Sequence, residues 1–336
     1  KINDTILNYI KRNEKIEETE FDAVTKFKFL SNIKNEAGKV SSFLTIQEGC
    51  DKFCHFCVVP YTRGPEYSRP FKQILDEAKY LIDSGAKEII LLGQNVNAYN
   101  DKNNKRLSDI INALQKKKNL LRIRYYTSHP KDMTKDLIDA HEECSKLMPL
   151  LHLPVQSGSD KILKSMNRKH SIKDYLEIIN VLKEKNQKIE FASDFIIAYP
   201  GETDEDFNKT CELMEKIKFV NSYSYIYSQR PGTPASEMKM IDKNLAKKRL
   251  VIFQNIAEKI KFNYKKKLLN KVSKVLFENE MSNEKNKYFG RDEYQNPVVV
   301  FSKKNIIGQE KRVIIKKFSK HTIYGDIIDT DNFLAA

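Results

Sequence analysis

The chain has 336 residues, 40% of them hydrophobic and 10% aromatic, which is enough apolar material for a sizeable core and argues against wholesale disorder. No apolar run approaches the ~20 residues of a membrane-spanning helix, and five cysteines are too few for a disulfide scaffold, so both classes are excluded and a reducing cytoplasm is expected. The net charge of +14 favours an anionic partner such as nucleic acid, although 48 of the 59 basic residues are Lys, a bias that an AT-rich genome also produces.

The first 35 residues are polar and lysine-rich, and we interpret them as a tail or linker. From about Ser41, short apolar or β-branched runs alternate with amphipathic helical patterns. The predicted strands are Phe43–Ile46, Glu88–Leu92, Leu121–Tyr126, Leu150–Leu153, Phe191–Ile197 and Tyr223–Tyr227, and the predicted helices are Phe71–Ser84, Leu107–Lys117, Lys135–Cys144, Ile172–Lys185, Asp204–Ile217 and Asn244–Leu269. Six strand–helix repeats predict parallel strands with right-handed crossovers, arranged as an open sheet or a barrel.

The pattern changes after Leu269, where short apolar runs are separated by turns rich in Asn, Gly and Lys. These runs are Val272–Phe277, Val298–Phe301, Val313–Phe318 and Thr322–Ile328. They predict a small antiparallel barrel of about 60–65 residues, a size at which a domain can just fold alone. Residues 242–336 carry 21 Lys and Arg against 11 Asp and Glu, so +10 of the +14 lies here, as is typical of a binding module.

Polar turns follow the predicted strands of the first region. They are Gly49-Cys50, Gly93-Gln94-Asn95, Ser128-His129-Pro130, Val155-Gln156-Ser157-Gly158 and Tyr199-Pro200-Gly201-Glu202. Enzymes built on parallel barrels place their active sites in the loops at the carboxyl ends of the strands. The position of these turns therefore favours a barrel-type enzyme.

Three cysteines lie within eight residues, in the C-x3-C-x2-C array of Cys50, Cys54 and Cys57. A zinc ion usually takes four ligands, and His55 sits between two of the cysteines, where ligation would be strained. A [4Fe–4S] cluster is the alternative, because three thiolates hold three irons and leave the fourth open. Zinc, or merely buried thiols, remains the other interpretation. The two isolated cysteines, Cys144 and Cys211, are expected in the core.

Several separated motifs accompany the cysteine array. They are QEGC (47–50), Phe56 before the last cysteine, VVPYTRG (58–64), SRP (68–70), LLGQNVNAY (91–99), TSHP (127–130), HLPVQSGSD (152–160) and SDFIIAYPGET (193–203). Together they resemble the radical S-adenosylmethionine (SAM) superfamily and, within it, the methylthiotransferases. Three types are known, which act on isopentenylated tRNA adenosine, on threonylcarbamoylated tRNA adenosine or on a ribosomal-protein aspartate. The stretch Gly93–Tyr99 resembles the first type.

The resemblance implies an α/β chain: a partial (βα)6 TIM-type barrel over 36–268, then a small all-β, OB-like TRAM domain that binds RNA over 269–333. It implies a [4Fe–4S] cluster on the three cysteines, SAM as cofactor, tRNA as partner and a flavodoxin-like electron donor. Family members carry a second [4Fe–4S] cluster on an N-terminal domain, of which residues 1–35 resemble only the exit segment. This chain therefore resembles a member that lacks that domain, as a truncation or a partial reading frame.

Further site residues are assigned through the same resemblance. SAM-binding candidates are Gly93, Gln94, Asn95, Gln156, Ser157 and Asp194, with local turn-capping as the alternative for the last three. His129 would contact substrate or have a helix-entry or turn role, and Glu202 is a residue at a helix N-terminus. Arg63 and Arg69 would bind phosphate or cofactor or form plain ion pairs.

In the terminal barrel, the RNA-binding candidates are Lys303, Lys304, Lys311, Arg312, Lys316 and Lys317. Phe301 and Phe318 lie among them and would either stack on bases or fill the barrel core. A non-catalytic RNA-binding module is the competing class of function, and the three cysteines together with the polar loops argue against it.

Overall fold

A computed structural model describes Tyr9, Ile10, residues 38–282 and residues 284–328. Contacts divide the chain into two compact units, Lys1–Ile33 and Lys34–Ala336, and every feature below belongs to the second. The predicted linker over 1–35, apart from Tyr9 and Ile10, and the last residues of the predicted terminal domain, 329–333, lie outside the described residues.

Six parallel strands form the framework of the first region, and two further short strands pair only with each other. In chain order, its strands are β1 (Ser41–Thr45), β2 (Gln47–Glu48), β3 (Tyr67–Ser68), β4 (Glu88–Leu92), β5 (Arg122–Tyr125), β6 (Leu150–His152), β7 (Glu190–Ile197) and β8 (Asn221–Ile226). Strands β1-β4-β5 form one sheet and β6-β7-β8 another, while β2 and β3 pair only with each other. A parallel bridge between Ile123 and Leu147 joins the two sheets. The six-stranded array is therefore a partial barrel, with β1 and β8 as its edges in the described part of the chain.

Amphipathic helices cover the outer face of this array. In chain order, the helices are α1 (Val59–Arg63), α2 (Phe71–Asp83), α3 (Leu107–Gln115), α4 (Lys135–Glu143), α5 (Asp160–Ser165), α6 (Ile172–Lys185), α7 (Asp204–Ile217) and α8 (Lys243–Leu268). The short helices α1 and α5 lie in loops, and the other six contribute buried residues to the main core. In α2 the buried residues Ile74, Ala78, Leu81 and Ile82 recur at the spacing of one helical face. The predicted strand–helix repeats are thus confirmed, and the bounds of α6 and α7 agree with the prediction.

Successive residues of each strand point to opposite faces of the array. Ile89 and Leu91 of β4 are fully buried under the helices, together with Ile123 of β5. Glu88 of β4 and Arg122 of β5 are neighbours in the register of the two strands, and their side chains lie on the opposite, inner face. The inner face therefore carries charged residues near the amino ends of the strands, where an ordinary barrel core would carry aliphatic ones.

The predicted small barrel is present at the carboxyl end and has five strands, of which Lys287–Asp292 is not among the predicted runs. They are β9 (Val272–Glu280), β10 (Lys287–Asp292), β11 (Pro297–Phe301), β12 (Glu310–Phe318) and β13 (Ile323–Ile327), closed in the order β10-β11-β13-β12-β9. All pairs are antiparallel except β11 with β13. The core residues include Phe277, Val298 and Ile315. Gly325 is required by packing, because a Cβ there would lie 2.3 Å from the backbone oxygen of Ile314.

The small barrel packs against the amino ends of β4 and β5, a contact that we call the floor. Arg122 donates to Glu310 at 2.8 Å and to the carbonyls of Arg291 and Lys274. Arg124 donates to Glu88 at 2.7 Å and to the carbonyls of Asp292 and Glu293, also in the small barrel. Both guanidinium groups are buried and both have several hydrogen-bond partners. The floor is therefore an interface in which each buried arginine is paired with a carboxylate and with backbone carbonyls.

Among the described helices, none combines the length and the apolar composition that crossing a membrane would require.

Candidate functional site

The loops that follow β2, β4, β5 and β6 meet at the carboxyl ends of the strands, and we call this end the rim. The cysteine loop begins at Gly49, whose φ of +76° lies in the left-handed region. A Cβ on Gly49 would lie 1.9 Å from the backbone oxygen of Pro65, so only glycine fits. The amide of Cys50 donates to the carbonyl of Gly64 at 3.2 Å, which closes the loop.

Gln47 connects the cysteine loop to the loop after β4. Its Oε1 accepts from the amides of Gln94 at 2.9 Å and Asn95 at 3.0 Å, and its Nε2 donates to the carbonyl of Gly49 at 2.7 Å. The Gln94 side chain returns the contact by accepting from the amide of Gly49 at 2.8 Å. Gly93 is needed here because a Cβ would lie 2.6 Å from the Oε1 of Gln47. Gln47 is therefore a positioning residue that sequence reasoning missed, although it stands in the QEGC motif.

Asn95 presents one unsatisfied acceptor at the rim. Its Nδ2 donates to Asp132 at 2.8 Å and to Glu66 at 3.2 Å, whereas its buried Oδ1 has no partner. Lys52 of the cysteine loop forms an ion pair with the same Asp132 at 2.8 Å. Burial raises the pKa of Glu66, and the hydrogen bond from Asn95 opposes that shift. A buried carbonyl oxygen without a donor is a site for a cationic or N–H group of a ligand.

The surroundings of Cys50 and Cys57 favour the neutral form of these two thiols. Burial raises the pKa of Cys50 to about 11 and also raises the pKa of Cys57. Bound metal reverses this preference, because a coordinating thiol is deprotonated outright. In the described residues, no three His, Cys, Asp or Glu side chains lie close enough together to hold a single metal ion. The assignment of Cys50, Cys54 and Cys57 as cluster ligands stays a prediction.

Arg168, which follows α5, lies directly beside the cysteine loop. Its Nη1 is 3.6 Å from the Sγ of Cys54, and its Nη2 donates to the carbonyl of Pro154 at 2.6 Å. The residue is only 9% exposed, its Nε has no partner, and no carboxylate of the described residues forms an ion pair with it. A buried cation is costly unless it meets an anion. Arg168 therefore indicates an anionic ligand at the rim.

Three histidines near the loop have roles that geometry makes clear. The Nδ1 of His55 donates to the carbonyl of Ser165 at 2.9 Å, which turns this ring toward the end of α5. His129 caps a short turn, since its Nδ1 accepts from the amide of Lys131 at 3.2 Å. Its ring lies 5.6 Å from that of His170. Burial lowers the pKa of His129 and lowers that of His170 to about 3, so both are neutral.

The loop after β6 carries the remaining SAM-binding candidates. Gln156 has a φ of +76° and its amide donates to the carbonyl of Asp194 at 3.0 Å. The buried Ser157 accepts from the amide of Ser159 at 3.2 Å, which is the local turn contact considered as its alternative. Asp194 accepts from the Nε2 of His152 at 3.1 Å. Gln156 and Asp194 therefore lie together, while Ser157 belongs to the turn that enters α5.

The remaining charged candidates form ion pairs. Arg63 pairs with Glu48 at 3.2 Å and Arg69 with Glu77 at 2.6 Å. Glu202 lies just before α7, and its carboxylate meets Arg249 of α8 at 2.9 Å. Burial raises the pKa of Glu202 to about 7, against the opposing effect of Arg249.

The RNA-binding candidates lie on the small barrel, and all are exposed except the half-buried Lys311. These are Lys303, Lys304, Lys311, Arg312, Lys316 and Lys317. Phe301 is 59% exposed and does not belong to the barrel core, whereas the half-buried Phe318 packs against that core and against Phe262, at 5.4 Å between ring centroids. The other two cysteines pack as expected, Cys144 buried and Cys211 half-buried against the main core.

Comparison with known proteins agrees with this geometry. The family described as the Radical SAM superfamily matches residues 44–214. The tRNA-2-methylthio-N(6)-dimethylallyladenosine synthase of Pelagibacter ubique (strain HTCC1062) is 56% identical over 333 residues, which is 98% of this chain and 74% of that protein. The enzyme of the same name from Wolbachia sp. subsp. Brugia malayi (strain TRS) is 47% identical over 288 residues, 84% of this chain and 65% of that protein.

Among solved structures, the radical S-adenosylmethionine methyltransferase TsrM from Kitasatospora setae is similar, with a TM-score of 0.49 and 14% identity over 60% of this chain and 39% of that chain. The chain spans about two thirds to three quarters of the length of the two curated relatives. On the sequence identity and the matching family, the chain belongs to the radical SAM superfamily and, within it, to the tRNA-2-methylthio-N(6)-dimethylallyladenosine synthases.

Proposed function

We propose that this chain carries the cofactor-binding and RNA-binding parts of an enzyme that adds a methylthio group to N6-dimethylallyladenosine in tRNA. The observation that carries the proposal is the rim itself. A loop with three cysteines is fastened to the Gly93-Gln94-Asn95 loop by Gln47, beside the buried and unpaired cation of Arg168. In the predicted division, residues 36–268 form the catalytic domain and 269–333 the RNA-binding domain, and a tRNA substrate agrees with a cytoplasmic location.

Each rim residue has a task toward the two cofactors of the superfamily. When bound, a [4Fe–4S] cluster and SAM together supply reductive cleavage of a carbon–sulfur bond. Cys50, Cys54 and Cys57 would hold three irons, and the rim residues listed here would contact SAM: Gly93, Gln94, Asn95, Gln156, Ser157 and Asp194. Asn95 is the best placed of these, because its orphaned Oδ1 suits the ammonium group of an amino acid. The side chains of Gln94 and Ser157 also accept from the amides of Gly49 and Ser159, so these two residues hold the loops in place beside their proposed contact with SAM.

Arg168 supplies the charge balance of the site. Three thiolates and a carboxylate are a concentration of negative charge, and the Arg168 guanidinium lies 3.6 Å from one of the sulfurs. The histidines His129 and His170 are neutral and therefore add no positive charge beside Arg168. An electron donor, expected to be flavodoxin-like, would complete the reducing system.

Anaerobic reconstitution tests the proposal. The wild-type chain should take up about four irons, develop the visible absorption of an iron–sulfur cluster and cleave SAM when reduced. The Cys54→Ala variant should lose all three properties, and Cys211→Ala, which removes a half-buried thiol of the main core, should keep them. Stoichiometric zinc in the wild type, with no capacity to form a cluster, would contradict the proposal.

RNA binding is tested by point variants, because deleting the small barrel would also strip the partners from Arg122 and Arg124 at the floor. Replacing Lys316 and Lys317 by Gln should weaken binding of an anticodon stem-loop. In a plot of the logarithm of the affinity against the logarithm of the salt concentration, the slope should become less steep by about two, because two positive charges are lost. Replacing Lys173 and Lys183 of α6 by Gln, which removes two charges on another face, is the control. Equal losses in both double variants would mean that only net charge matters.

A further inference from the structure

A groove of about 700 Å³ lies at the open edge of the partial barrel, outside the rim. It is bounded by the edge strand β8, by α8 and by the turn between β12 and β13. Three aromatic side chains in it are largely exposed: Tyr223 at 54%, Tyr225 at 61% and Phe262 at 56%. Large apolar side chains that remain exposed as a group indicate a binding surface, whereas singly scattered ones do not.

The groove is also positively charged. Lys320 is paired with Glu258 at 2.6 Å, so these two charges cancel. Lys261 donates to the Oδ1 of Asn221 at 2.7 Å, and Lys265 donates to the carbonyls of Ser319 and Lys320. Neither lysine forms an ion pair with a carboxylate of the described residues. Lys265 is buried and Lys261 is half-buried, so Lys261 is the cation of this pair that an outside anion can reach. Aromatic faces beside uncompensated cations are the combination that binds unpaired nucleic acid.

An aromatic path leads from the groove into the barrel. The ring of Tyr223 lies 6.4 Å from that of His152, which lies 6.2 Å from the ring of Tyr126. His152 donates to Asp194, whose carbonyl accepts from the amide of Gln156 at the rim. A series of ring contacts and hydrogen bonds therefore connects the groove to the candidate SAM site.

We propose that this groove binds the unpaired nucleotides that flank the target adenosine in the anticodon loop of the tRNA. The bases would stack on Tyr225 and Phe262, and a phosphate would lie beside Lys261. The inference rests on the proposed function and extends it to the neighbours of the modified base. Stacking recognises any base, so the groove would position the loop without reading its sequence.

Binding of an anticodon stem-loop that carries N6-dimethylallyladenosine tests the groove. Fluorescence anisotropy would give the dissociation constant for the wild type, for Tyr225→Ala and for the matched control Tyr225→Phe. Loss of one stacking ring should weaken binding about tenfold, while Phe keeps the ring and should bind as the wild type does. Val181→Ala, on the exposed face of α6, controls for loss of surface area. A second groove variant, Phe262→Ala, covers the case in which Tyr225→Ala fails to fold.

A 2-aminopurine placed next to the target adenosine adds a direct readout, because its fluorescence is quenched on stacking. Quenching by the wild type and by Tyr225→Phe but not by Tyr225→Ala supports the groove. Unchanged affinity and unchanged quenching in Tyr225→Ala and Phe262→Ala would overturn it, and so would equal losses in the Ala and Phe variants. A change of oligomeric state without loss of RNA binding would mean that the groove joins two copies of the chain. The proposed function is tested separately, by SAM cleavage and RNA binding of the wild type. If the wild type does both, failure of the groove proposal does not contradict the proposed function.

Discussion

The rim and the floor of the partial barrel both bury arginines, and they treat them in opposite ways. At the floor, Arg122 and Arg124 each meet a carboxylate and two carbonyls. At the rim, Arg168 meets one carbonyl and one thiol, and its Nε has no partner. Since buried charges persist where they are paired or where function requires them, the floor is a structural interface and the rim is a site prepared for ligands.

The same contrast extends to neutral groups. Six of the 13 buried side-chain atoms without a hydrogen-bond partner in the described residues lie on Asn95, Ser128, His129, Arg168 and His170, and the other seven are spread over other parts of the chain. No atom of Arg122, Arg124 or Glu88 is orphaned in this way. A protein that leaves several polar atoms unsatisfied in one place has lower stability there, which bound cofactors restore by mass action.

The largest effect is expected at the floor. Arg124→Ala leaves Glu88 buried with its main partner gone, and breaking such a pair costs about 3–5 kcal/mol. Urea unfolding of the cofactor-free chain measures this loss. Lys105→Ala, which removes an exposed pair with Asp109, is the control and should change the stability by less than about 1 kcal/mol. If both changes lowered the free energy of unfolding equally, the buried ion pair at the floor would contribute no more to stability than the exposed pair does.

A pH titration sharpens the comparison through His141, which is buried away from the rim and lies 2.6 Å from the hydroxyl of Tyr125. Burial lowers the pKa of His141 from 6.5 to about 4, so the unfolded chain binds this proton more readily than the folded chain. The contribution of His141 to the free energy of unfolding is therefore fully present above pH 6.5. It is lost, by about 3 kcal/mol in total, as the pH falls toward 4. Urea midpoints across this range should fall more steeply for the wild type than for His141→Gln. Parallel curves would assign the acid sensitivity to other groups.

Two glycines with left-handed backbones, Gly49 at the rim and Gly85 before the amino end of β4, separate the cost of conformational strain from the cost of crowding. Gly85 has a φ of +112° and open space around its missing Cβ, so Gly85→Ala should cost about 1–2 kcal/mol from backbone strain alone. Gly49→Ala adds a clash with the backbone of Pro65 and should cost about 1–3 kcal/mol more. Thermal unfolding of the two variants measures the difference in their stability. Iron content after reconstitution should fall only for Gly49→Ala. Retention of a full cluster in Gly49→Ala would contradict the account of the loop.

The smallest effect on stability is expected from Arg168→Met. Because this cation lacks an anionic partner in the described residues, its removal should change the unfolding free energy of the cofactor-free chain by less than about 1 kcal/mol. SAM affinity of the reconstituted chain should nevertheless fall at least about tenfold, as expected when a charge-assisted contact is lost. The matched variant Arg124→Met should show the reverse pattern. A large loss of stability in Arg168→Met would place this residue with the floor.

Sequence periodicity predicted the helices and strands because each buries one face against a single core, and burial imposes spacings of about 3.6 and 2 residues. It also predicted the change to a small barrel after Leu269, since alternation replaces the helical pattern there. It left Phe301 open between core and surface, because one residue at the end of a strand has no neighbour that fixes the register. The structure places Phe301 at the surface.

By itself the sequence determined the family, the three-cysteine loop and the six strand–helix repeats, because these depend on local spacing and on motifs a few residues long. Only the tertiary structure decided that Gln47 fastens two loops together, that Arg168 lies beside Cys54 and that Tyr225 faces a groove. The floor shows why: Arg122 and Glu310 are 188 residues apart and still 2.8 Å from each other. Contacts between distant residues carry no periodic signal, since they are set by how the packed elements meet rather than by the pattern within any one of them.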